Sequence, residues 1–452
     1  MTKTFQSINP YNGEKLAEYA IMSRLELDKK IALSQKAFKS WKNFSFQERG
    51  VLLKKAGQIL QQKHEIFAQL ITSEMGKTIT EARAEVLKCV SVCDYYADKA
   101  ETLLASQTLE TPFTAKVVYE PIGCVYAIMP WNFPFWQVFR FATAALSAGN
   151  TAMLKHAPNV TGCSLAIEGI FREAGFAEGV FQSLISDIDD IEYVVSSDIV
   201  QAMTLTGSEK AGSAVGALAG KLIKKSVLEL GGSDPVLVLD DANVEKAAQV
   251  AVQSRMLNAG QTCISAKRFL VTPKNSEEFT EKVKFFLAQY KQGNPLDENT
   301  KVGPLARLDL AENLYRQMQD SIEQGAFKVF GGQMDACNFE PALLTGISAQ
   351  MPIFSEETFG PLASILTVKD EDEMVEIANR NPYGLGASVW TEDREKGEKI
   401  ARKVEAGSVF VNSLVRSDAR IPFGGIKKSG YGRELAQEGI KEFTNVKSII
   451  IE

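Results

Sequence analysis

The sequence predicts an α/β protein with two lobes, each built on a largely parallel sheet. Short apolar runs such as CVYAIMP alternate with amphipathic helical stretches, as parallel βαβ units require. The alternation restarts at DPVLVLDDANVEKAAQ, so there are two such series. At 452 residues the chain also exceeds the usual size of one domain.

Taken in order, the first hundred or so residues read as helices. LELDKKIALSQKAFKSWKN, SFQERGVLLKKAGQILQQKHEIFAQLITSEMGK and TEARAEVLKCVSVCDYYADKAETLLA place apolar residues at i, i+3 and i+4. Gly76 is a helix stop. AKVVYE and CVYAIMP follow as strands, the second apolar enough for burial on both faces. Then come a helix over about 135–147, the strand TAMLKH, and a helix over about 160–174 stopped by Gly175. FQSLIS, AMTLTG and SVLELGG are further short strands, and the lobes meet near residue 230. The second series contains DPVLVLDD with an Asp/Asn-capped helix, RFLVTP, and ASILTVKDEDEMVEIANR. The final TNVKSIIIE is a β-branched strand with no partner nearby in sequence. No internal repeat or low-complexity linker occurs.

A hydrophobic content of 45% with 23% charged residues is that of a globular protein. A net charge of -6 disfavours a nucleic-acid or anionic-membrane surface. No run approaches the ~18 apolar residues of a bilayer span, and MTKTFQSINPYNGE lacks the apolar core of a secretory signal. Six dispersed cysteines without CxxC make neither a disulfide framework nor a zinc site, so a reducing cytoplasm is expected. Of the two histidines, His64 lies in a charged helical stretch and His156 ends a strand. With no HxxxH or HExxH, no metal site is expected, and acid–base work falls to carboxylates.

Four places carry chemistry. Cys263, in NAGQTCISAKRF, sits in a polar turn between helix and strand, unlike a cysteine used as core filler. Such loop cysteines act as nucleophiles when backbone N–H groups or charges favour the thiolate. Cys89, Cys93, Cys124 and Cys163 read as core packing and Cys337 as exposed. Glu229 ends an apolar strand in SVLELGGSDP, where burial would raise its pKa toward a general base's range; a salt-bridged strand end is the alternative. Asn132, between Pro130 and Pro134 in MPWNFPFW, is placed to donate to an oxyanion or simply to cap a turn. TGSEKAG puts Gly207 and Ser208 at a strand-to-helix junction suited to phosphate, or to an N-cap serine.

Together PWNFP, TAMLKHAP, TGSxxxG, ELGGSDP, GQTC, EETFGP and PFGGIKKSGYGRE resemble the NAD(P)-dependent aldehyde dehydrogenases in order and spacing, from INPYNGE to the final strand. The resemblance implies a Rossmann-like cofactor domain (1–111 and 124–230), an α/β catalytic domain (231–437) and a small β oligomerisation element (112–123 and 438–452) of a homodimer or homotetramer. It implies Cys263 as nucleophile, Glu229 as the base for the deacylating water, and Asn132 with the Cys263 N–H as oxyanion hole. It assigns cofactor contacts to Trp131, Lys155, Pro158, Gly207, Ser208, Glu357 and Phe359, and requires no metal.

Relatives restricted to NAD commonly have Glu where this chain has Pro158. Proline neither accepts from the ribose hydroxyls nor repels a 2'-phosphate, so use of NAD or NADP is expected, with a lean to NAD. Ser233 stands where many relatives have Lys. Trp136 and Arg140 form an i,i+4 pair. Arg140 matches an arginine that holds the distal carboxylate in succinate semialdehyde dehydrogenases, and Ser417 a serine that assists it; a second arginine of some such enzymes is Leu257 here. A structural salt bridge is the alternative for Arg140. The expected function is oxidation of succinate semialdehyde. The runners-up are dehydrogenation of another small aldehyde and, from a different class, a catalytically silent binding protein on the same fold; intact Glu229 disfavours a CoA-acylating relative.

Overall fold

The computed structural model describes residues 3–452. Two parallel sheets dominate it, and the chain crosses from one to the other at residues 230–233. In the first sheet, strands Phe181–Ser183, Thr151–His156, Cys124–Met129, Val200–Thr206 and Lys225–Glu229 lie side by side in that order, all parallel. Numbered along the chain this is 3-2-1-4-5, the Rossmann-like arrangement. Its switch point lies between Cys124–Met129 and Val200–Thr206, where the loops after neighbouring strands diverge and leave a crevice. The apolar run CVYAIM is nearly all buried, as a strand covered by helices on both faces must be.

The second sheet has seven strands, in the order Phe327–Phe330, Ala342–Thr345, Leu362–Thr367, Ala266–Val271, Asp234–Val238, Gly386–Trp390, Ser408–Val411. Only Phe327–Phe330 runs antiparallel. The short strand Gly430–Tyr431 returns from the end of the second lobe to pair with Leu228 and Glu229 on the edge of the first sheet. This tie brings the residues after it, Glu434 included, under the first lobe.

The terminal strand finds a distant partner: Thr444–Ile451 pairs antiparallel with Thr114–Pro121, which also pairs with Gln107–Leu109. The beginning of the chain departs from expectation. Thr4–Ile8 and Lys15–Ala20 form an antiparallel hairpin before the first helix, Arg24–Trp41. The helical reading missed it because the strands are short and mostly exposed, without a clear apolar alternation. Cys89, Cys93, Cys124 and Cys163 are buried in the core, whereas Cys337 is only partly exposed. Among the described residues no helix is long and apolar enough to cross a membrane.

Candidate active site

The loop after Cys124–Met129 carries Trp131 and Asn132, and its shape is held from two sides. His156, buried at the end of the neighbouring strand, has Nε2 2.9 Å from the Pro134 carbonyl and Nδ1 3.2 Å from that of Met129. Burial pushes its imidazole down to about 4, so it is a neutral positioning residue. Glu85, on helix Ile79–Leu103, accepts from the N–H groups of Phe135 (2.9 Å) and Trp136 (3.0 Å) and is ion-paired with buried Lys77. It thereby satisfies the open end of helix Trp136–Ser147, which has no side-chain cap of its own.

The cysteine turn follows helix Val244–Met256 through residues Asn258, Ala259 and Gly260, all with positive φ. Two of these are non-glycine residues in a disfavoured region, so the surroundings must over-determine them. Asn258 donates its backbone N–H to Glu81 (2.7 Å) and its amide to the Asn132 carbonyl (2.8 Å). The Asn132 amide in turn donates to the Gln261 carbonyl at 3.0 Å, leaving its second N–H for a ligand. Lys267 donates to the carbonyls of Cys263 (2.7 Å) and Thr262 (3.2 Å). Gly260 has no room for a side chain: a Cβ would meet the Gly360 carbonyl oxygen at 2.2 Å. Gly260→Ala is therefore expected to destabilise the protein by about 2–4 kcal/mol and to misplace the cysteine. A Tm and kcat equal to wild type would remove this account of the turn.

Asn132 lines the same cavity as Cys263, whereas Glu229, at the end of strand Lys225–Glu229, does not line it. Glu229 is buried and neither oxygen has a hydrogen-bond partner. Burial raises its carboxyl well above the usual range; Arg140 pulls against this, and Glu434 adds to it. Burial also pushes the Cys263 thiol up to about 12, while Arg140 and Lys267 draw it down.

Trp131, Asn132, Gly207, Ser208, Cys263, Glu357 and Phe359 line one cavity of about 430 Å³ at the switch point. Ser208 also caps helix Glu209–Lys221, accepting from the Ala211 N–H at 3.3 Å, so its capping and cavity roles coexist. The ring of Trp131 stands edge-on to Phe359 with centroids 5.8 Å apart. Glu357 accepts from the Gly232 N–H at 3.0 Å and lies 3.5 Å from the Lys267 ammonium. Lys155 and Pro158 do not line this cavity. Lys155 is buried at the end of Thr151–His156, and Pro158 opens the short 3-10 turn Pro158–Val160. Arg307, Leu310 and Asn313 complete the wall from the second lobe, and no sequence signal marked them. The cavity fits a nicotinamide dinucleotide on its own terms. It has flat aromatic walls, a helix N-terminus at Ser208, and a backbone so close at Gly231 that a Cβ would strike Glu357 at 2.4 Å.

Arg140 is almost fully buried. Its Nε meets Glu434, one Nη lies 3.3 Å from Thr206 Oγ1, and its guanidinium stacks 4.7 Å from the Phe423 ring centroid. The salt-bridge alternative is thus realised, yet the fork keeps further N–H donors. Ser417 accepts from Lys88 Nζ at 2.7 Å, and Lys88 in turn lies over the Trp136 ring.

The half-buried Cys263, the unpartnered Glu229 carboxyl, the Asn132 amide and the crevice at the switch point make up the candidate site, and comparison with known proteins identifies the family. Residues 1–449 match the model of the aldehyde dehydrogenase family. A protein from Synechocystis sp. named probable succinate-semialdehyde dehydrogenase [NADP(+)] is 46% identical over 449 residues, covering 98% of this chain and 99% of its own. Succinate semialdehyde dehydrogenase [NAD(P)+] Sad of Escherichia coli is 41% identical over 98% of this chain and 97% of its own. The crystal structure of succinic semialdehyde dehydrogenase from Streptococcus pyogenes in complex with NADP+ superposes with a TM-score of 0.97, at 35% identity and 99% coverage of both chains. With a matching architecture over its whole length, this chain belongs to the aldehyde dehydrogenase family.

Proposed function

We propose that the protein oxidises succinate semialdehyde to succinate with NAD(P)+ through a thioester on Cys263. The observation that carries the substrate class is Arg140, whose charge acts on both Cys263 and Glu229 and which shares helix Trp136–Ser147 with Trp136; Ser417 reaches Trp136 through Lys88. Guanidinium matches a carboxylate in shape and charge, and the relatives named above carry succinate semialdehyde in their names.

The thiol of Cys263 gives its proton to solvent as substrate arrives, and sulfur bonds to the aldehyde carbon, whose C=O π pair moves onto oxygen. The carbonyl oxygen becomes an oxyanion held by the second N–H of Asn132 and the Cys263 backbone N–H. The bound dinucleotide supplies the hydride acceptor. Trp131, Gly207, Ser208, Glu357 and Phe359 would hold it in the cavity, with Lys155 and Pro158 toward the adenosine end. Glu229 then takes a proton from water, the water oxygen attacks the acyl carbon, and the Cys263 sulfur leaves. Both NAD and NADP are accepted at Pro158. The lean to NAD has no support among the relatives, whose names carry NADP(+) or NAD(P)+. The free thiols fit a cytoplasmic setting. Exposed Phe113, Val446, Ile450 and Ile451, on and beside the small sheet, fit burial in a homodimer or homotetramer.

The test is wild-type kcat/KM for succinate semialdehyde and butanal, each with NAD and NADP. A buried charge pair at the distal carboxylate is worth about 2–5 kcal/mol, so succinate semialdehyde is expected to win by roughly 30-fold or more. Preference for butanal would leave a general aldehyde dehydrogenase. The Arg140→Ala variant discriminates less well: it strands Glu434 in the interior at a cost of about 3–5 kcal/mol, which would depress both substrates.

A further inference from the structure

Three carboxylates around the buried end of helix Trp136–Ser147 already have a cation. Glu434 pairs with Arg140, Glu85 with Lys77, and Asp418 with Arg420 at 2.7 Å. One cation of the cluster is left over. Lys88, one turn beyond Glu85 on helix Ile79–Leu103, has its ammonium 2.7 Å from Ser417 Oγ and 4.1 Å from the Trp136 ring centroid. Among the described residues no carboxylate oxygen comes within 4.0 Å of it.

From this geometry we infer that Lys88 is a specificity-determining residue, the ammonium that meets the distal carboxylate of the substrate beside Ser417. The inference rests on the carboxylate-bearing aldehyde of the proposed function. Three features support it. Trp136 is shared, giving Lys88 an aromatic face one helical turn from Arg140. Arg140's charge is already balanced by Glu434, so a second anion near it calls for a second cation. Lys88 is also held in a costly state: burial, with Arg140 nearby, draws its ammonium down to about 8, while Cys89, Glu85 and Asp418 pull only weakly the other way. A bound carboxylate would relieve that cost. Ser417, bonded to the ammonium, then orients it and does not serve as an independent anchor.

The test compares wild type, Lys88→Met and Lys88→Arg on succinate semialdehyde and butanal. Methionine keeps an unbranched apolar stem against Trp136 and loses only the charge. Lys88→Met is expected to raise KM for succinate semialdehyde about tenfold or more, with kcat changed much less and a loss at least several times larger than for butanal. Lys88→Arg is expected to recover part of the loss. An equal change for both aldehydes, or none, would overturn the role of Lys88 while wild type still favours the semialdehyde. A wild type that shows no such preference would instead remove the proposed substrate. Should Lys88→Met fail to fold, a Lys88→Arg variant that loses the wild-type rise of KM above pH 8, whatever its KM at pH 7, would uphold the role. An alkaline rise shared by both proteins would overturn it, because arginine stays charged there.

Discussion

Cys263→Ala is expected to lower aldehyde oxidation by roughly four orders of magnitude or more while NAD(P) still binds. The two effects separate because the turn is not held by sulfur. Lys267 grips the carbonyls of residues 262 and 263, and Asn258 ties the turn to Glu81 and Asn132. The cavity wall made by Trp131, Ser208, Glu357 and Phe359 is unaffected by loss of one thiol. Steady-state rates with quenching of Trp131 fluorescence on cofactor addition would read both. Retention of even about 1% of wild-type turnover would remove Cys263 as the nucleophile, since no neighbouring side chain offers an equivalent attack.

Glu229→Gln is expected to split the reaction in two. The thioester should form and stall, giving one equivalent of NADH per active site in a rapid burst, followed by turnover slower by about 10²–10⁴-fold. Loss of the burst as well would place Glu229 earlier, at the thiol. The pH dependence follows from the direction of its shift. Burial raises the Glu229 carboxyl, so it keeps its proton to higher pH than an ordinary carboxylate and becomes a base only as pH rises. Wild-type deacylation should therefore climb with pH above the ordinary carboxylate range, and the glutamine variant should lose that limb. Stability carries the same sign. A folded-state pKa above the unfolded one means wild type loses stability as pH rises from the ordinary carboxylate range through the raised value. The amide does not titrate, so the Tm of Glu229→Gln relative to wild type should increase over that window. A pH-independent Tm difference would show that Glu229 is not held neutral by burial.

Much of the proposed site was legible because its residues break local rules. Glu229 ends an apolar strand and Cys263 sits in a polar Gly-containing turn, each out of keeping with its surroundings, and places where local consistency fails tend to be functional. The parallel lobes were legible because both faces of their strands are covered, which leaves continuous apolar runs. The initial hairpin was not, because Thr4–Ile8 and Lys15–Ala20 bury little and alternate weakly.

By itself the sequence determined the βαβ order, the residues proposed to react and the family they resemble, since periodicity and local backbone chemistry act between near neighbours. Only the tertiary structure decided which charges meet. Arg140 and Glu434 are far apart in the chain, as are Lys88 and Ser417, and no periodicity encodes their approach. They meet because Gly430–Tyr431 ties the end of the second lobe to Glu229's strand, bringing the following residues beneath the first. Long-range pairings of this kind depend on how whole sheets dock, and in a buried site they decide which cations remain free for a substrate.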